Sequence, residues 1–117
     1  MPFKKNTFDT FFSYHVFHHC ENPVLSLKEC IRVAKKRIII VEPVYRYKLE
    51  TDGMRFMDCM YNFWKDQKIN MSYNFLNFQT LKHTFDDSKV KLTMVKEIDH
   101  FPQWIPIGRT FLYIITK

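Results

Sequence analysis

The chain has 117 residues, enough for one hydrophobic core and too few for two. Its apolar share of 46% and charged share of 26% are those of an ordinary globular protein and exclude a disordered or fibrous chain. The formal charge of +6 is scattered over several segments and builds no basic stripe, so nucleic-acid binding is not expected.

Twelve Phe demand either a very aromatic core or apolar surface kept for a partner. Cys20, Cys30 and Cys59 match no metal spacing and read as free thiols of a reducing compartment, which makes the cytoplasm the expected location. Lys4 and Lys5 are followed by no apolar run, so no signal peptide is expected. No segment approaches the roughly 20 apolar residues of a membrane span.

In chain order, Phe8 to Val16 is rich in aromatics with one acidic residue, the pattern of a strand covered on both faces. Asn22-Pro23 supplies a helix start: the Asn side chain can cap free N–H groups, and Pro has none to lose in the first turn. Leu27, Cys30, Ile31 and Ala34 follow on one helical face, and Lys35-Lys36-Arg37 suit the negative end of that helix. Ile38 to Val41 is a β-branched run of the kind found in central parallel strands, stopped by Glu42-Pro43. Strand, helix and strand at this spacing predict a right-handed crossover with parallel neighbours.

Beyond it, Met54, Met57, Tyr61 and Trp64 share one helical face while Phe56, Met60 and Phe63 lie on another, and core packing is the expectation for so apolar a stripe. Gln79 to Phe85 predicts a short helix. Lys91 to Ile98 and Thr110 to Thr116 predict strands, separated by a loop over Phe101 to Gly108 that holds two Pro and one Gly.

Pro2-Phe3, Phe8-Asp9, an aromatic strand, His18-His19, a helix ending in Arg32-Val33 and the Arg37–Val41 strand come in an order that resembles the class I S-adenosylmethionine (SAM)-dependent methyltransferases, specifically the small-molecule type 11 kind. The resemblance implies an α/β fold: a partial Rossmann-like sheet of about four strands, the last antiparallel, with flanking helices. It also implies that residues 1–117 form a single partial domain lacking the Gly-rich, cofactor-gripping half that comes first in the family. SAM is the implied cofactor, and Ser13, Tyr14, His15 and His18 are the implied residues of its site near the methionine moiety. By imidazole chemistry rather than by resemblance, His15 and His19 are candidates for a general base, with an ordinary strand-end histidine as the preferred alternative. A small-molecule methyl acceptor would approach the carboxyl end of the Arg37–Val41 strand, near Glu42.

Three functional expectations follow. The leading one is a methyltransferase-like protein, truncated and inactive alone, because methyl transfer depends on holding donor and acceptor in line and half of the holding surface would be missing. The second is a subunit completed by a partner chain or a second copy along an open sheet edge. The third is a noncatalytic interaction module. His15, His18, His19 and Cys20 also offer four soft ligands in six residues, but the spacing supplies no second element unless His83 or His100 closes the set, so no metal is expected.

Overall fold

The computed structural model describes residues 2–64, 74–98 and 108–117. Strand β1 (Phe8–Tyr14) is followed by a short 3-10 turn (Phe17–His19), helix α1 (Pro23–Val33), strand β2 (Ala34–Tyr45) and helix α2 (Lys48–Trp64). A two-residue strand β3 (Leu76–Asn77) leads into helix α3 (Phe78–Asp87), and strands β4 (Lys91–Glu97) and β5 (Arg109–Thr116) complete the sheet. The predicted loop over Phe101 to Gly108 lies, except for Gly108, outside the described residues.

The sheet has five strands in the order β1-β2-β5-β4, with β3 paired to the end of β2. β1 and β2 are parallel, placing Phe12 opposite Ile39 and Tyr14 opposite Val41. β5 runs antiparallel to both β2 and β4. The parallel pairing of β1 and β2 is as the strand–helix–strand spacing predicts, and the antiparallel last strand is as the resemblance implies.

Local chemistry explains the element ends. Asn22 Oδ1 accepts the Leu25 N–H at 3.0 Å and Pro23 opens α1. Glu50 Oε2, in the first turn of α2, reaches back to the Arg46 N–H at 2.7 Å, a carboxylate at the positive end of a helix. α1 stops at Val33, three residues sooner than its cations suggest. Lys35 and Lys36 instead belong to β2 and reach across to Asp9 of β1, with Lys36 Nζ 3.6 Å from its carboxylate.

Glu42-Pro43 does not stop β2, which runs on to Tyr45. Val41 C=O accepts the His15 N–H on the β1 side, and by strand alternation the Pro43 nitrogen faces that same side. β1 has already ended there, so the missing N–H breaks no ladder bond. On the other side Pro43 stays in register with Thr110.

The core lies on one face of the sheet. Ile38, Ile40, Tyr113 and Ile115 point into a cluster closed by Leu27, Cys30 and Ile31 of α1 and by Leu81 and Phe85 of α3. The opposite face carries a row across all four long strands, Phe12, Ile39, Ile114 and Met94. It is open: Phe12 is 61% and Tyr14 58% exposed. β1 is therefore covered on one face rather than two, because α1 and α3 pack side by side against the same surface.

α2 also departs from expectation. Its buried residues are Glu50, Met54 and Asn62, while Phe56, Tyr61, Phe63 and Trp64 face outward, Trp64 at 85% exposure. The inward line steps by four, and its members are polar except for Met54. Among the described residues no helix is long and apolar enough to cross a membrane.

Candidate functional site

The carboxyl ends of β1 and β2 meet at the position where an open α/β sheet binds its ligands. After Tyr14 the backbone turns sharply at His15, which sits in the left-handed region at φ 50°. The His15 N–H is held by Val41 C=O at 2.8 Å, and the chain then enters the turn that carries His18 and His19.

Glu42 organises that turn from below. It lies on the core face of β2 and is 1% exposed. Its Oε1 accepts the backbone N–H groups of Val16 and Phe17, the latter at 2.8 Å, and its Oε2 lies 3.0 Å from Nδ1 of His18. A carboxylate held this deeply needs such donors, and two amides with an imidazole supply them. A carboxylate oxygen can only accept, so in this contact His18 donates through Nδ1.

His18 is 4% exposed and stacks on Phe75 with ring centroids 5.4 Å apart. Its ring also lies 4.0 Å from that of His19 and 6.0 Å from that of His15. Asn74 ties the turn from the far side. Its N–H donates to His18 C=O at 3.2 Å, and its Nδ2 donates to the carbonyls of Cys20 and Glu21 at 3.1 and 2.9 Å. His15 stacks on Tyr14 at 4.5 Å.

The structure thus brings His15, His18 and His19 together but separates Ser13 from Tyr14. The pleat sends Tyr14 to the open face and Ser13 toward α1. There the Ser13 hydroxyl is buried without a hydrogen-bond partner. It borders an apolar cleft of about 520 Å³ lined by Phe11, Val16, Phe17, Leu25 and Cys30. Burial pushes the Cys30 thiol at its base up to about 12, so that sulfur stays protonated.

Spacing alone missed Asp58, Asn62, Asn74 and Phe75. Asp58 and Asn62 belong to the inward line of α2, four residues apart. Asn62 Nδ2 donates to the Asp58 carbonyl at 2.8 Å and lies 3.3 Å from its Oδ1. The step of four from Glu50 through Met54 was the available signal, hidden by the more conspicuous aromatics around it. His83 sits on α3 beside Asp87, Nδ1 3.2 Å from the carboxylate and exposed, while His100 lies outside the described residues.

Residues 1–41 match the model of a family described as a methyltransferase domain. Among solved structures, the chain is similar to a SAM-dependent methyltransferase from Aquifex aeolicus at 17% identity and TM-score 0.56, covering 99% of this chain and 49% of that one. The fold is that of the methyltransferases. A second similar structure is the Haloferax volcanii methyltransferase solved in complex with the Trm112 methyltransferase activator, at 15% identity and TM-score 0.59, with coverage of 99% and 57%. A third is the [4+2]-cyclase SpnF, at 10% identity and TM-score 0.65, with coverage of 100% and 52%. No curated protein sequence matches.

The chain spans about half the length of these methyltransferase-fold structures. That a cyclase shares the fold means the architecture carries no particular reaction with it. The chain's two glycines, Gly53 inside α2 and Gly108 before β5, form no Gly-rich turn, and the outer edge of β1 pairs with no strand among the described residues.

Proposed function

We propose that this chain is the acceptor-side portion of a SAM-dependent methyltransferase-like protein and does not turn over alone. The observation that carries the reading is the combination of a methyltransferase-type β1–α1–β2 crossover with an outer edge of β1 that is unpaired among the described residues, where the cofactor-gripping strands of the fold would continue. In this reading Tyr14, His15 and His18 form the wall nearest the methionine end of SAM, and His15 or His19 takes a proton from the acceptor where one must be lost. Aligning donor and acceptor needs the opposite wall as well, so no catalytic step is assigned to this chain by itself. Calorimetric titration of SAM into the purified chain tests the proposal: no heat of binding is expected, and micromolar or tighter binding overturns it.

A second reading is favoured by the surface. β1 offers an open edge, Phe12 and Tyr14 stand exposed beside it, and α2 presents Phe56, Phe63 and Trp64 outward. Exposed apolar side chains beside a strand edge that is unpaired among the described residues suit a partner chain, either one that completes the sheet or one that uses this chain as a noncatalytic module. The Haloferax volcanii structure, a methyltransferase with its activator, lends this reading support. Affinity purification from the native source should then recover one stoichiometric partner, and light scattering that shows only monomer with nothing copurifying would remove it. The free thiols are consistent with a cytoplasmic setting.

A further inference from the structure

We propose that His18, His19 and Asp58 form a binding site for a divalent transition-metal ion of the zinc type. One ligand atom from each lies within 4.8 Å of those of the other two. Ligands about 2.0–2.2 Å from zinc stand about 3.3 Å apart in a tetrahedron, so closure by about 1.5 Å at most would seat the ion. Such a movement lies within side-chain rotation.

Three further observations point the same way. Among the described residues His19 Nδ1 and Asp58 Oδ2 are shielded from solvent and have no hydrogen-bond partner, and a bound ion would satisfy both. The outer contacts are those of a metal centre. Glu42 takes the Nδ1 side of His18, a carboxylate–histidine pair that orients the opposite nitrogen, and Asn62 lies 3.3 Å from Oδ1 of Asp58. Finally, the ligands come from two elements, the turn after β1 and the helix α2. The sequence alone lacked this second element, and neither His83 nor Cys20 is needed to supply it.

Two imidazoles and one carboxylate suit zinc and its first-row neighbours, whereas calcium or magnesium would require an oxygen-rich set. Three protein ligands leave a fourth position open for water or for a hydroxyl or carboxylate oxygen of a small molecule. The site lies at the carboxyl end of β1 and β2, where such a molecule would enter. It stands whether or not the chain binds SAM.

The test is calorimetric titration of zinc chloride into the metal-stripped 117-residue chain, with metal content measured after dialysis. One ion per chain is expected, weakened at least tenfold by His19→Gln and by Asp58→Asn and unchanged by Cys20→Ser. Circular dichroism of each variant establishes that it is folded. Cobalt substitution of the unmutated chain gives an independent readout: visible bands of nitrogen and oxygen ligation are expected. Absence of stoichiometric binding, zinc retained by both folded variants but lost in Cys20→Ser, or a thiolate-to-cobalt charge-transfer band each overturns the proposal.

Discussion

Glu42 Oε2 lies 3.0 Å from His18 Nδ1, tying the end of β2 to the turn that leaves β1. Since the same carboxylate also accepts two backbone N–H groups of that turn, one buried side chain fixes three donors at once. Glu42→Ala should therefore lower stability by about 1.5–3 kcal/mol, the range of hydrogen bonds to charged groups, because the turn would lose the carboxylate that these donors share. Urea denaturation checks this: the midpoint should fall with the slope unchanged. A midpoint equal to that of the unmutated chain would show that the carboxylate does not hold the turn.

Gly108 allows a close approach to Met54 and to the β2 backbone. A Cβ there would collide with Sδ of Met54 and stand 2.7 Å from Val44 C=O. The thioether can swing aside, but the carbonyl belongs to β2 and cannot. Gly108→Ala is expected to destabilise by about 1–3 kcal/mol. Adding Met54→Ala should relieve only part of that loss, and thermal unfolding of the single and double variants measures both.

The three thiols should differ in reactivity. Cys59 is exposed on α2, Cys20 is partly covered, and Cys30 is buried with its thiol pushed up to about 12. Labelling with a maleimide at pH 7.5 should proceed in that order, Cys30 reacting only on unfolding. Mass spectrometry of timed aliquots reads the order directly.

Acid sensitivity should include a contribution from Glu29. The Arg32 side chain hydrogen-bonded to it lowers its carboxyl to about 2 from an ordinary 4.5. A carboxyl lowered in the folded state contributes stability that is complete above pH 4.5 and disappears as the pH falls through about 2. Both groups lie at the surface, so the effect should be small and should weaken in high salt. Urea midpoints between pH 5 and 2 should fall less steeply for Glu29→Gln than for the unmutated chain.

Much of the fold was legible because its signals are local. Asn22-Pro23 announced α1, the Ile38–Val41 run announced the central strand, and the distance between them implied a parallel crossover. Pro43 misled because a proline ends a strand only where its nitrogen would meet a neighbour, and that depends on where β1 stops. α2 misled because hydrophobicity marks which residues can be buried, while the packing of α1 and α3 decides which are. The site was half legible. His15, His18 and His19 are close in sequence and so appear as a cluster, whereas Asp58 joins His18 and His19 only through the path of α2. Ser13 and Tyr14, read as one wall, are divided by the alternation of the strand itself.

The antiparallel pairing of β2 with β5 sets Arg37 opposite Thr116 and Val44 opposite Arg109. These contacts span most of the polypeptide, so closing the sheet carries a high entropic barrier and assembly should be slow for a chain of this size. During synthesis the β1–α1–β2 unit emerges before β5 and waits with a bare β2 flank until β5 leaves the ribosome. Premature termination before residue 109 would strand the nascent chain at that stage, exposed to chaperones and proteases.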